Sequence, residues 1–141
     1  EEQLSCLASV HRHLETGGRF VLELFNPNIR SLVDENRRNE RGSDEPIVMS
    51  NGVSFVRKDR TASVDLDRQV IDAELIYYAT YPDGREERIV HAFPFRYFFR
   101  YEVEHLLARA GFEVESLYSD FDRSPSGSKH PGELIFVARK P

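Results

Sequence analysis

The sequence has 141 residues, of which 40% are hydrophobic and 30% charged, and its formal net charge is −5. This length suits one domain with its own core, and the composition excludes an intrinsically disordered chain. The negative charge argues against nucleic acid as a partner, and no apolar run is long enough to span a membrane.

The single cysteine gives information about the cellular compartment. Cys6 has no second cysteine to pair with, and beside Leu4 and Leu7 on a helix we expect it to be a small buried hydrophobe. With no visible signal peptide, the sequence predicts a cytoplasmic protein. The chain starts at Glu1 inside a helical pattern, so we expect it to be a fragment of a longer chain.

The first two elements are a helix and a strand. Apolar residues at near-helical spacing predict an amphipathic helix over Glu1–Leu14. Gly17-Gly18 follows, and then Arg19–Phe25, in which Glu23 is the only charge inside an apolar run. A strand with no polar face is typical of a parallel strand that is covered on both sides.

The order of these elements decides what the glycine pair can do. Phosphate-binding glycine loops run from a strand into a helix, so that the helix N-terminus faces the anion. Here the order is helix, glycines, strand, which favours a helix C-cap and turn.

The middle of the chain changes character. Residues 28–52 are polar, with one short helix predicted around Ile29–Asn36. Alternating patterns beginning at Val53, over Val70–Tyr81 and over Arg85–Phe95 predict three strands, joined in part by a tight turn in "YPDGRE". Together they form an antiparallel meander.

The last elements are a helix and two strands. Val103, Leu106, Leu107 and Ala110 form a helical stripe that ends at Gly111. Phe112–Tyr118 is predicted as a strand, residues 122–132 as a loop, and Glu133–Arg139 as a final strand.

Two blocks resemble one family. "LASVHRHLETGGRFVLELFNP" and "YEVEHLLARAGFEVESLYSDFDRSP…ELIFVARK" resemble the fourth helix and fifth strand, and the C-terminal end, of class I S-adenosylmethionine-dependent methyltransferases. The resemblance implies an α/β fold with a partial Rossmann-like methyltransferase sheet (strands five, seven and six) and an inserted antiparallel β-meander. Residues 1–141 would then be the C-terminal portion of a methyltransferase domain, with 28–96 as a substrate-side insertion.

The resemblance also implies where the cofactor lies. In that family the glycine loop after strand one and the acidic residue after strand two hold most of the S-adenosylmethionine, and both would precede this chain. We therefore expect no cofactor-binding residue here, and no binding of S-adenosylmethionine by the chain alone. No metal-ligand spacing is evident, so no metal is expected.

Candidate site residues follow from the edge at which open α/β sheets bind ligands, outside the carboxyl ends of the strands. Asn26 and Pro27 end the first strand and are predicted to line an acceptor pocket. His91 is the one weak candidate for a catalytic base, although its position on the apolar face of the meander favours a structural histidine. Arg96 and Tyr97 are further candidates for binding the acceptor.

The predicted function is S-adenosylmethionine-dependent methyl transfer to a small-molecule acceptor whose identity stays open. Without a fourth strand beside it, Arg19–Phe25 would have an unpaired edge through which two copies could pair as a homodimer. One alternative is a non-catalytic oligomerisation module. Another is a small α+β ligand-binding domain, in which Arg19–Phe25 would pair with the meander.

Overall fold

The computed structural model describes all 141 residues. The chain forms two compact units: Glu1–Asn28 with Tyr97–Pro141, and Ile29–Arg96. In chain order the elements are α1 (Glu2–His13), β1 (Arg19–Phe25), α2 (Ile29–Leu32), a 3-10 helix (Glu35–Arg38), β2 (Ile47–Val48), β3 (Ser54–Asp65), β4 (Val70–Thr80), β5 (Glu86–Arg96), α3 (Arg100–Arg109), β6 (Glu113–Tyr118) and β7 (Glu133–Arg139).

The first unit is built on a three-stranded sheet in the order β1-β7-β6. The last strand, β7, pairs antiparallel with both neighbours, with Leu22 opposite Phe136 on one side and Leu117 opposite Phe136 on the other. Since β1 and β6 both oppose β7, they run parallel to each other. Glu133–Arg139, predicted as the final strand, thus lies between the other two, as the order five, seven, six implies. The alternative in which Arg19–Phe25 pairs with the meander is wrong.

One face of this sheet carries the core. Residues of α1 and α3 pack with alternate residues of β1 and β7, and Leu107 and Phe136 are fully buried. The expectation that β1 is covered on both sides is wrong, because its residues alternate between half-buried and exposed and Val21 is 61% exposed. The apolar residues of the opposite face have no helix over them within this unit.

Two glycine turns follow the helices of the first unit. Gly17 adopts a φ of +80° after α1, and the turn is fastened to the end of β7 by hydrogen bonds from Gly17 N to Lys140 O and from Lys140 N to Gly18 O. Gly111 has a φ of +88° after α3. Both φ values lie in the left-handed region that favours glycine. The predicted cap at Gly111 is confirmed, because it directly follows Ala110, the C-cap residue of α3. The cap predicted at the glycine pair is wrong: α1 ends earlier, with the extended Leu14 as its C-cap, and Gly17 belongs to the turn into β1.

A β-bulge interrupts β6. Val114 opposes Ala138 and Ser116 opposes Val137, which leaves Glu115 as the extra residue. Its carboxylate lies 2.6 Å from Arg19 Nε and 3.4 Å from Arg139 Nε. Because Arg19 and Arg139 are directly opposite each other, and like charges at such a pair repel, Glu115 compensates both. The hydrogen bond from Arg19 lowers the pKa of Glu115.

The second unit is a four-stranded antiparallel sheet in the order β2-β3-β4-β5. A turn with Gly84 at φ +83° joins β4 to β5, as predicted. The strand predicted from Val53 extends to Asp65, with a bulge between Thr61 and Ser63. The helix predicted over Ile29–Asn36 ends at Leu32, because the Asp34 side chain accepts from Asn36 N and caps a separate 3-10 helix.

The segment before β2 is attached to this sheet by polar contacts. Arg41 and Asp59 exchange two backbone hydrogen bonds of 2.9 and 2.8 Å and form an ion pair of 2.7 Å. Glu40 accepts from Tyr78 Oη at 2.6 Å and from Arg88 at 2.8 Å. These hydrogen bonds, from Tyr78 first and then Arg88, lower the pKa of Glu40.

Candidate functional site

The strands of the first unit end together at one edge of their sheet. Since β1 and β6 are parallel, Asn26 and Ser119 both follow carboxyl ends, and β7 begins beside them at Glu133. In open α/β sheets this is the edge at which ligands bind. The predicted residues Asn26 and Pro27 therefore lie at the edge for which they were predicted.

Asn26 is bonded to the loop before β7, and Pro27 next to it is buried. The Asn26 side-chain amide donates a hydrogen bond to the Pro131 carbonyl. This contact fixes the end of β1 against a residue far away in sequence. Their predicted role in binding an acceptor stays a prediction.

Ser119 anchors the same loop and was not predicted. It is 2% exposed, and its hydroxyl lies 2.9 Å from Pro125 O and 3.1 Å from Ser128 Oγ. Gly132, with a φ of +61°, passes so close that a Cβ atom there would lie 2.9 Å from Ser119 O. A side chain at position 132 would therefore displace the backbone at the start of β7.

Carboxylates give the edge its charge. Glu133 lies opposite Phe25 in the ladder, and Glu23 is two residues before Phe25 on the same face. Burial, followed by the negative charges of Glu23 and Asp120, raises the pKa of Glu133. The edge therefore favours a positively charged or hydrogen-bond-donating group over an anion.

Asp120 differs from Glu133 because it has a cationic partner. Lys129 Nζ lies 2.5 Å from Asp120 Oδ2 and 2.7 Å from Asp122 Oδ2. Hydrogen bonds from Lys129 are the largest cause of the lowered pKa of both carboxyls. No group of His, Cys, Asp or Glu side chains in the structure is arranged to hold a metal ion.

The other candidates divide between the two units. Tyr97 is 3% exposed in the first unit, where its ring packs edge-on against Phe99 with centroids 5.7 Å apart. His91 and Arg96 belong to β5 of the second unit, and both are exposed. His91 shares a face with Phe93, as predicted, and the two ring centroids are 5.2 Å apart. Its side chain is nevertheless exposed, because β5 is the last strand of its sheet, and its role stays a prediction.

An apolar cavity of about 190 Å³ lies within the first unit. Leu7, Leu22, Leu24 and Phe98 line it, and Cys6 is at its border. Cys6 is exposed, which corrects its predicted burial, although its side chain lines this cavity next to Leu7. With hardly any polar group in its lining, this cavity does not suit a polar acceptor.

The residues present do not form a nucleoside site. The Gly17–Gly18 turn lies at the amino end of β1, and its backbone groups are bonded to Lys140. The carboxyl ends of β1 and β6 are followed by Asn26-Pro27 and Ser119-Asp120, with no glycine loop. The expectation that residues outside this chain hold S-adenosylmethionine stays a prediction.

Comparison with solved structures gives consistent likenesses. The CcbJ methyltransferase from Streptomyces caelestis matches with a TM-score of 0.67 and 18% identity, over 99% of this chain and 53% of that one. SAM-bound CalS10, an amino pentose methyltransferase from Micromonospora echinaspora, has the same TM-score and identity over 98% and 50%. The sugar N-methyltransferase KedS8 from Streptoalloteichus has a TM-score of 0.65 and 20% identity over 97% and 48%.

No protein-family model matches the chain, and no curated protein matches it. The likenesses to solved structures show that the chain has a class I methyltransferase fold. It spans about half the length of each of these methyltransferases. No helix of the chain is long and apolar enough to cross a membrane.

Proposed function

We propose that this chain is the C-terminal, substrate-side part of an S-adenosylmethionine-dependent methyltransferase that acts on a small molecule. The observation that carries the proposal is the strand order β1-β7-β6, with β7 antiparallel between two parallel strands. The family resemblance assigns these as strands five, seven and six. The likeness to methyltransferases of about twice the length is consistent with a partial Rossmann-like sheet that is completed by the other half.

The two halves of the proposed enzyme would bind different molecules, and the residues at the carboxyl edge of the first sheet indicate which. The half outside this chain would hold S-adenosylmethionine, which supplies a methyl group on a positively charged sulfur. This chain would orient the acceptor at the carboxyl edge, with Asn26 and Pro27 at the end of β1. Residues 28–96 would be a substrate-side insertion, to which His91 and Arg96 belong, while Tyr97 follows it.

An amino sugar is the proposed acceptor class. CalS10 is described as an amino pentose methyltransferase and KedS8 as a sugar N-methyltransferase. The carboxyl group of Glu133, close to Glu23 and Asp120, would attract a sugar ammonium and accept hydrogen bonds from its hydroxyls. Transfer to nitrogen needs the neutral amine, so the bound ammonium must lose its proton first.

The first test is cofactor binding by the chain itself. Calorimetric titration of S-adenosylmethionine into the 141-residue chain should give no heat of binding at tens of micromolar. A protein translated from the longest reading frame that contains the chain should bind the cofactor. Binding by the chain alone would show that the cofactor site has been assigned to the wrong half.

The second test is acceptor binding. NMR titration of the chain with a free amino sugar should shift amide signals around Asn26, Ser119 and Glu133, and Glu133→Gln should weaken the binding. The matched control is Glu113→Gln, at the opposite end of the same sheet, which should leave the titration unchanged. Equal effects of the two variants would contradict an acceptor site at this edge.

Under this proposal, the edge of Arg19–Phe25 through which a homodimer was predicted would be occupied by a strand of the other half. That edge has no neighbour in the present sheet, and the missing half would supply a strand to it. Self-association through β1 should therefore occur only in the isolated chain, and should disappear in a longer protein that contains the other half.

A further inference from the structure

Residues 35–45, here called the strap, run along β3 of the second unit. They comprise the 3-10 helix, which contacts β3, and the seven residues that follow it. Arg37 and Arg41 are half-buried, and the other nine residues are exposed. With no buried side chain of its own, the strap gains little from the apolar packing that stabilises most folded structure.

Polar contacts attach the strap to the sheet. Glu40 accepts hydrogen bonds from Tyr78 of β4 and Arg88 of β5, and the side chains of Glu40 and Arg88 are partly exposed. Asp44, whose side chain is 95% exposed, forms an ion pair of 2.5 Å with Lys58 of β3. Because ion pairs that water can reach contribute little to stability, these contacts hold the strap only weakly.

The closed position of the strap also has a cost. The Nε atoms of Arg37 and Arg41 are buried and have no hydrogen-bond partner. A buried donor without an acceptor has lost its hydration and gained no bond in return. Opening of the strap would return both guanidinium groups to water. The closed position is therefore favoured by weak contacts and opposed by two unpaired donors.

We infer that the strap opens as a unit while the sheet stays folded, and that Glu40 is the contact that keeps it closed. Arg41 and Asp44 bond to β3 alone, whereas Glu40 reaches across to β4 and β5. The two donors to Glu40, Tyr78 and Arg88, also line an open cavity of about 320 Å³. Opening of the strap would free both donors at this cavity, so the strap determines whether a ligand can bind them.

Two adjacent amides of β3 distinguish opening of the strap from opening of the sheet. The Asp59 amide donates to Arg41 O at 2.8 Å, so opening of the strap exposes it. Neighbouring amides of an antiparallel strand point to opposite sides. The Lys58 amide therefore points to β4, where Lys58 is opposite Ile76, and opening of the strap leaves it bonded.

Native-state hydrogen exchange of the full chain, measured by NMR, compares these two amides. The Asp59 amide should exchange at least about tenfold faster than the Lys58 amide when each rate is divided by its intrinsic rate. Equal protection of the two amides would show that strap and sheet open together, and would overturn the inference.

Glu40→Gln tests the contact that keeps the strap closed. A neutral amide is a weaker acceptor than a carboxylate for the Arg88 guanidinium, so the Asp59 amide should exchange about tenfold faster and the Lys58 amide at its wild-type rate. The matched control is Glu45→Gln, which removes the same charge from an exposed residue of the strap and should change neither rate. An Asp59 rate that Glu40→Gln leaves unchanged, or raises together with that of Lys58, would overturn the inference.

Gly42→Ala opens the strap without changing a charge. A Cβ atom at Gly42 would lie 2.7 Å from Arg57 O, and the residue has a φ of +132°. The variant should therefore displace the strap from β3 and accelerate exchange of the Asp59 amide at least about tenfold. The control is Gly84→Ala, where φ is +83° but no atom lies within 4 Å of the added Cβ; it should leave the ratio of the Asp59 and Lys58 rates unchanged.

Wild-type protection of the Asp59 amide in Gly42→Ala would overturn the inference. None of these measurements needs a cofactor or an acceptor, so failure here leaves the proposed methyltransferase function untouched.

Discussion

The two sheets of this chain are stabilised in different ways. The central strand of the first, β7, has seven residues, of which Leu134, Ile135, Phe136 and Ala138 are buried. The central strand of the second, β4, has 11 residues, of which only Ile76 and Ala79 are buried. A longer strand with more ladder bonds thus buries less. The difference lies in the covering elements, since α1 and α3 supply apolar side chains to the first sheet.

In the second unit, much of what holds residues 29–48 to the sheet is polar. Glu40 bonds to Tyr78 and Arg88, Arg41 to Asp59, and Lys58 to Asp44. Apart from Lys58, these side chains are at least partly exposed, and ion pairs that water can reach contribute little to stability. Apolar packing should therefore dominate the free energy of unfolding of the first unit. The stability of the second unit should depend on its β ladders and a few buried residues.

Truncation of the central aromatic residue should have the largest effect. Phe136→Ala removes a fully buried ring and should lower the free energy of unfolding by about 3–5 kcal/mol. The control is Phe95→Ala in β5, a residue that is 38% exposed, and its loss should be smaller, about 1–2 kcal/mol. Urea denaturation measures both, and similar losses would remove the proposed contrast between the sheets.

The second sheet has its own buried centre, Ile76, which is fully buried in β4. Ile76→Ala should cost about 2–5 kcal/mol and should accelerate amide hydrogen exchange throughout β3, β4 and β5. Ile89→Ala, on the exposed β5, is the matched control and should leave those exchange rates nearly unchanged. If Ile76→Ala had no effect on exchange, the β ladders alone would be sufficient to stabilise this unit, and the predicted role of Ile76 would be wrong.

Acid should loosen the loop at the carboxyl edge of the first sheet. Lys129 lowers the pKa of Asp120 and Asp122, so their contribution to stability is present above the usual aspartate pKa of about 3.9 and is lost as pH falls below it. Protection of the Ser119 and Ser124 amides, measured as their exchange rate relative to the intrinsic rate at the same pH, should therefore decrease in acid. In Lys129→Met exchange should already be fast at neutral pH, and an unaltered profile in that variant would contradict this assignment.

The smallest effect should come from Glu133. Its pKa is raised, so the ionised group costs stability, and this cost appears as pH rises above the unfolded pKa of about 4.3. Glu133→Gln should stabilise the chain at neutral pH by on the order of 0.5 kcal/mol and give no gain in acid. A Glu133→Gln chain that is less stable than wild type at neutral pH would mean that the carboxylate has a favourable partner.

The local sequence pattern was sufficient to predict the bounds of β1 and β7, because each is an apolar run flanked by turn residues. It was insufficient for β3, where the polar sequence SFVRKDRTASVD has no clear alternation and is held extended by its neighbours. Whether β1 is covered on both faces, and whether Cys6 and His91 are exposed, depends on which elements pack against them. The local sequence pattern does not contain that information.

The candidate site was predictable to the same extent. Asn26 and Pro27 follow directly from where an apolar strand ends. Ser119 and Glu133 were missed, because their importance depends on the pairing of β6 with β7 and on a loop that brings Gly132 against Ser119. One signal was available: Glu133 opens an otherwise apolar strand, and an acidic residue at that point is unusual for a strand buried at the centre of a sheet.

The bulge in β6 has a consequence for how this sequence can change in length during evolution. Glu115 has no partner in the ladder, so a relative that lacks this one residue would keep every strand pairing on both sides of the gap. It would also lose the carboxylate between Arg19 and Arg139. Arg139 would keep its ion pair with Glu113, but Arg19 would lose the ion pair that Glu115 provides. A homologue that is one residue shorter here is therefore expected to have replaced Arg19, so that a deletion in one strand and a substitution in another are inherited together.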